Sequence, residues 1–206
     1  RKNRIMKKLF MVIAAMLLTL GVNAQHAVGS ISLKPMVGIN VSNITDGGSY
    51  NKAKVGLVAG FEGEYQATDM IGISVGALYS MEGCSYKDNT AGIEKLNLEY
   101  VNIPILANFY VAKGLSIKAG PQIGFKTKAK MKISGTEYDL DKIATNLGFD
   151  DSKANSVIFS IPVGASYEYQ NFVFDARYNW ALTKITKDGD SKNSTFMFTI
   201  GYKFDL

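Results

Sequence analysis

The sequence predicts an all-β fold, an eight-stranded antiparallel up-and-down transmembrane β-barrel. Three observations carry this reading. Apolar residues recur at every second position from Ile31 to Leu206. The connections between these runs alternate between tight and long. A basic, then apolar, leader precedes them all.

The leader comes first. Arg1, Lys2, Arg4, Lys7 and Lys8 precede the apolar run Leu9–Leu20, and Val22-Asn23-Ala24 offers a signal peptidase small or short residues. Residues 1–24 therefore read as a secretory signal peptide cleaved after Ala24, with Met6 as the true start and 1–5 upstream of it. The twelve residues of the run would span only about 18 Å as a helix, against a hydrocarbon core of about 30 Å. A membrane anchor is thus excluded. The leader also accounts for the charge. The chain has 23 basic and 18 acidic residues, but five of the basic ones lie before Gln25 and no acid does, so the rest is formally neutral. No nucleic-acid partner is implied. An exported chain can use disulfides, but Cys84 is the only cysteine and has no internal partner.

Residues 25–206 form the barrel domain, with strands expected at 31–44, 53–66, 71–84, 94–112, 115–131, 156–169, 172–186 and 194–206. Their period of two puts one residue set on each face. Val55, Leu57, Ala59, Phe61 and Tyr65 share a face opposite Gly56, Gly60, Glu62 and Glu64. Ile71, Ile73, Val75, Ala77 and Tyr79 repeat the pattern, as do Phe196, Phe198, Ile200, Tyr202 and Phe204. The fourth strand changes phase between Tyr100 and Val101, which predicts a β-bulge there. Pro104 and Pro162 fall mid-strand, where a missing N–H predicts a bulge or kink at each.

The connections at Ala67–Met70, Lys113–Gly114 and Gln170–Asn171 are tight. Those at Thr45–Lys52, Ser85–Ile93, about Lys132 to Asn155, and Lys187–Asn193 are longer and polar. Sorting by length between two rims matches an outer-membrane barrel with both termini periplasmic. In the longest loop, Asp139 or Asp141 can N-cap a short helix ending at Gly148. Its acids Asp139, Asp141, Asp150 and Asp151 have no EF-hand spacing and read as a solvated acidic loop.

Side-chain size decides which face looks outward. The polar face carries Gly38, Gly56, Gly60, Gly72, Gly76, Gly120, Gly124, Gly164 and Gly201, which suits a narrow, filled interior. On the apolar face, Tyr65, Phe109, Tyr167, Tyr169, Phe172 and Phe204 gather at the tight-turn rim. Tyr79, Tyr100, Phe125, Phe159 and Trp180 gather at the other. Two aromatic girdles are what the two interfaces of a bilayer select. Outer-membrane lipid is the implied partner of this face, and a soluble, lipocalin-like barrel is the competing reading.

The inferred lumen holds Lys34, Glu62, Glu64, Glu82, Lys118, Lys126, Lys128, Glu168, Asp175, Arg177, Lys203 and Asp205. Equal numbers of acids and bases permit complete pairing, so a salt-bridged plug is favoured over a conduction path. Arg177 is the only arginine after the leader. Asp175, Asp205 and Glu168 are its candidate partners.

Catalytic chemistry finds little here. The only histidine, His26, lies outside every expected strand, which argues against histidine-based hydrolysis and histidine–metal sites. No phosphate-binding glycine loop is present, no cofactor is implied, and the strands leave no room in the chain for a second domain.

Three segments resemble the PorT-like outer-membrane β-barrel family. They are Tyr100-Val-Asn-Ile-Pro-Ile-Leu-Ala-Asn-Phe-Tyr110, Ala119-Gly-Pro-Gln-Ile-Gly124, and Asp175-Ala-Arg-Tyr-Asn179 followed by Leu182-Thr183. The first is similar to the family's Y-x-x-I-P strand, the third to its D-x-R-Y-x-x-x-L strand. The resemblance implies an outer-membrane barrel, and for some members a part in protein secretion. Three functions fit the sequence: a structural or surface-interaction barrel, a secretion component docking proteins at its loops or periplasmic rim, and a narrow channel.

Overall fold

The computed structural model describes residues 26–45, 51–86, 92–146, 154–186 and 191–206. The expected leader, the helix end at Gly148, and Asp150 and Asp151 lie outside these residues.

Eight strands form the ring: β1 (Ile31–Ile44), β2 (Asn51–Gln66), β3 (Ile71–Tyr86), β4 (Ile93–Ala112), β5 (Leu115–Ala119 and Gln122–Ile133), β6 (Val157–Tyr169), β7 (Phe172–Lys184) and β8 (Lys192–Tyr202, continued by Phe204–Asp205). Each pairs antiparallel with its sequence neighbours, and β8 pairs with β1 from Met36/Gly201 to Ile44/Asn193, closing the ring. Closure leaves no free sheet edge, as a strand-built membrane crossing requires. The strand ends agree with the sequence reading to within a few residues.

The tight turns have a local cause. Gln170 and Asn171 both have positive φ, 47° and 70°, the combination a two-residue type I′ hairpin demands. At the opposite rim the described part of the long loop carries the expected helix and also a strand that the sequence did not suggest. A strand at Thr136–Asp139 extends the β5 hairpin, and helix α1 (Leu140–Asn146) follows. Asp139 caps it, its Oδ1 accepting from the N–H of Asp141 at 3.1 Å and of Lys142 at 3.2 Å.

The apolar face looks outward. Val37, Leu57, Phe61, Phe174 and Phe198 are all about half exposed, while Lys34, Asn40, Glu62 and Arg177 are buried. A soluble barrel would reverse these two sets. The inward glycines make room for the charges. A Cβ on Gly164 would lie 3.0 Å from Cγ of Arg177, one on Gly201 2.9 Å from Cγ of Lys34, and one on Gly76 2.6 Å from Cγ of Glu62.

Two expectations about the strands need correction. First, β4 keeps a single phase, with Leu96, Leu98, Tyr100 and Asn102 all facing inward. The bulge lies in β5: Glu99 opposes Lys128 and Tyr100 opposes Lys126, leaving Thr127 extra. Sequence reading assumed that apolar meant lipid-facing, but the outer end of the lumen is itself apolar, so Tyr100 belongs to no girdle. Second, the bulge alternative fails at both mid-strand prolines, since neither Pro104 nor Pro162 shifts the register. The β3–β4 ladder passes from Val75/Ile105 to Leu78/Asn102 with a gap and no slip, and β6–β7 runs unbroken through Pro162/Asn179. A second gap, in the β4–β5 ladder, falls at Gly120–Pro121, where the Ile105 N–H donates to the Pro121 carbonyl at 2.9 Å.

Candidate functional site

The inward positions build a lumen in layers, read along β1, β2, β3 and β8 from the tight-turn rim outward. At that rim, His26 is buried with Nε2 3.1 Å from Glu168 and Nδ1 2.9 Å from Asp205. Both ring nitrogens face carboxylates, which can only accept, so these contacts favour the doubly protonated ring. The hydrogen bond to Glu168 raises the pKa of His26 above its ordinary value, against the opposing effects of burial and of Lys203. Lys203 bridges Glu168 at 3.2 Å and Glu64 at 3.3 Å and sits 5.6 Å from the centre of the Tyr110 ring. Glu64 also accepts from the Tyr110 hydroxyl and, at 2.6 Å, from Asn108.

The second layer is the charge cluster. Arg177 donates through Nε to Asp175 Oδ1 at 2.6 Å, through Nη2 to Asp175 Oδ2 at 2.8 Å, and through Nη1 to Glu62. Lys34 reaches Glu62 at 2.8 Å and Asp175 at 3.8 Å, and Lys118 reaches Asp175 at 2.8 Å. Five charged side chains from β1, β2, β5 and β7 thus meet across the lumen in reciprocal contact, the arrangement that offsets the cost of burying charge. Above them Met36, Val58, Leu78 and Met197 form an apolar layer. A polar layer follows, with Asn40, Ser80, Glu82, Asn102, Asn179, Asn193 and Thr195. The outermost layer is apolar again: Ile44, Cys84, Leu96, Leu98, Tyr100, Ala129, Ala154, Ile158 and Ile185. At the mouth Lys126 reaches Asp141 of α1 at 2.6 Å.

Of the sequence-expected lumen charges, Glu62, Glu64, Glu82, Lys118, Glu168, Asp175, Arg177, Lys203 and Lys34 are buried inside. Lys126 faces inward but belongs to the outer mouth. Two placements were wrong. Lys128 points outward and pairs with Glu99 at 3.1 Å, because the Thr127 bulge flips the phase of β5. Asp205 lies at the tight-turn rim with its side chain 57% exposed, bound to His26. Arg177 therefore takes Glu62, a residue of β2, in place of Asp205 or Glu168. Sequence reading also missed the buried asparagines and the place of His26. Asparagine at alternate inward positions was the available signal for the polar layer.

Chemically, this interior can neutralise and brace. Among the described residues no hydroxyl or thiol is bonded to His26, whose nitrogens both face carboxylates, so no histidine-based nucleophile pair is assembled there. Cys84 is fully buried in the outer apolar layer. No group of three or more His, Cys, Asp or Glu residues able to hold a metal occurs among the described residues.

Comparison with known proteins fits this architecture. The family model described as Outer membrane protein beta-barrel domain matches residues 18–187. No curated protein matches the chain. Among solved structures, Ail, the attachment invasion locus protein of Yersinia pestis, is 19% identical with a TM-score of 0.52, over 86% of this chain and all of that one. Neisserial surface protein A (NspA) is 10% identical with a TM-score of 0.53, over 84% of this chain and 97% of that one. At such identities the likeness fixes the fold, a ring of eight antiparallel strands. With the family match it sets the chain in the bacterial outer membrane, its apolar face against lipid.

Proposed function

The chain belongs to the outer membrane protein beta-barrel domain family, and within that membrane we propose that it is a closed, non-enzymatic barrel acting through its outer loops on other molecules at the cell surface. The observation that carries this reading is the charge cluster. Arg177, Lys34 and Lys118 with Glu62 and Asp175 fill the lumen from four strands. That leaves the loops and rims as the surfaces available for work. Ail, whose name speaks of attachment and invasion, and Neisserial surface protein A have a similar ring, which supports the analogy at the level of fold. The reading includes export by the leader 1–24, so that the mature chain begins at Gln25. It assigns no catalytic step and no cofactor, and the buried lumen charges act as structural braces.

A second reading, a component of an outer-membrane secretion machine, is favoured by the PorT-like segments at 100–110, 119–124 and 175–183. A pair of chromosomal variants separates the two. One deletes the protein, and the other replaces its long loops by tight turns while keeping the barrel. Under the surface reading, both variants change cell adherence alike and leave the set of secreted proteins intact. Loss of secreted proteins in the deletion strain would transfer the function to the secretion reading.

A further inference from the structure

The polar layer holds a carboxylate that no basic side chain of the described residues pairs with. Glu82 is 4% exposed and accepts from Ser80 Oγ at 2.6 Å, Thr195 Oγ1 at 3.2 Å, Asn102 Nδ2 at 3.3 Å and Asn193 Nδ2. All four donors are neutral. Among the described residues no basic side chain forms an ion pair with its carboxylate. Lys54 directs its ammonium to the Glu82 backbone carbonyl instead, at 2.9 Å. Every other fully buried carboxylate of the lumen touches a lysine or arginine.

Unpartnered oxygens gather beside it. Glu82, Gln122, Ser160, Asn179, Asn193 and Thr195 line a common cavity of about 10 Å³, room for one water-sized particle. Gln122 Oε1, Asn193 Oδ1 and both polar atoms of Asn179 are buried without a hydrogen-bond partner. These side chains are 3%, 7% and 5% exposed. The orientation of Asn193 follows from its contacts: its amide nitrogen is committed to Glu82, so its oxygen is the atom left over. Buried amide oxygens without donors are costly, and so is a buried carboxylate without a counter-charge. A water could meet some of the oxygens but would leave the charge unbalanced.

We propose that this cavity binds one monovalent cation of sodium size, held by the carboxylate of Glu82 and the amide oxygens of Gln122, Asn179 and Asn193. A hard cation takes oxygen ligands, and one carboxylate balances one positive charge. A calcium ion would need six to eight oxygens and would leave a net charge in a dry interior; magnesium would keep several waters. The site lies between the outer apolar layer and the inner one, with the charge cluster beyond the latter, so the ion enters as the barrel folds.

The test refolds the full mature barrel from urea into detergent in sodium chloride or in tetramethylammonium chloride at equal concentration, the latter cation being too large for the cavity. Folding should be favoured in sodium. Above the binding constant, each tenfold rise in sodium should raise the folding equilibrium constant about tenfold. Glu82→Gln keeps the shape and removes the charge, and should abolish the difference between the two salts. If that variant fails to fold, the wild-type comparison decides alone. Equal folding of the wild type in both salts would overturn the site, as would a Glu82→Gln barrel that keeps the sodium dependence. Either result leaves the charge cluster and the surface role untouched.

Discussion

Removing Asp175 tests the charge cluster more sharply than removing Arg177. Asp175 meets three cations, Arg177 at 2.6 Å, Lys118 at 2.8 Å and Lys34 at 3.8 Å, all with side chains 5% exposed or less. In Asp175→Asn, three buried cations face Glu62 alone. In Arg177→Ala, by contrast, Glu62 keeps Lys34 at 2.8 Å and Asp175 keeps Lys118 at 2.8 Å. Breaking a buried ion pair costs about 3–5 kcal/mol. The arginine variant should sit near the lower end of that range, because each acid retains a lysine, and the aspartate variant at or above its upper end. Arg177→Lys should recover only part of the loss, since an ammonium cannot reproduce the forked contacts to two carboxylates. The assay is urea unfolding of the refolded barrel in detergent or lipid, with Lys192→Ala at the outer rim as control. If Asp175→Asn unfolds like the control, the cluster is solvated and the plug is refuted. If Arg177→Ala costs more than Asp175→Asn, the charge arithmetic is wrong.

Three further outcomes follow from the geometry. His26 has its pKa raised in the fold, so its stabilising contribution is fully present below its unfolded value of about 6.5 and is lost as pH rises through the folded value. Unfolding followed from pH 5.5 to 8.5 should therefore lose stability with rising pH more steeply in the wild type than in His26→Gln; parallel curves would refute the imidazolium assignment. A Cβ on Gly38 would lie 1.9 Å from the Phe198 carbonyl oxygen, so Gly38→Val should cost about 3 kcal/mol or more, and wild-type stability in that variant would refute the close approach of β1 and β8. A protease-cleavable tag placed in 147–153 should be cut on intact cells, whereas one at Lys113–Gly114 should be protected; the reverse pattern would invert the barrel.

Much of the fold was legible because a two-residue period has few interpretations once glycines crowd its polar face. Gly164 beside Arg177 and Gly76 beside Glu62 carry the physical meaning of that pattern: small residues make space for long charged ones. The alternation misled where apolar no longer meant lipid-facing. Leu96, Leu98 and Tyr100 face the lumen because its outer end is dry, and this disguised the true bulge at Thr127 and misplaced Lys128. Pairing partners were less legible still. Arg177 and Glu62 are 115 residues apart, and only the closure and shear of the ring bring β2 and β7 to opposite walls of a narrow bore. His26 illustrates the remaining limit. It belongs to no strand, so no periodicity could foretell that Glu168 and Asp205 would enclose it.

Electrical recording from planar bilayers tests the closed barrel most directly. The lumen is crossed by the contacts of Arg177 with Asp175 and Glu62 and sealed above by two apolar layers. The refolded protein should insert without producing conductance steps above the bare membrane. Asp175→Asn, if it inserts, should be the variant that begins to leak. Steady, well-resolved channel openings from the wild-type barrel would contradict the account and return the protein to the class of channels.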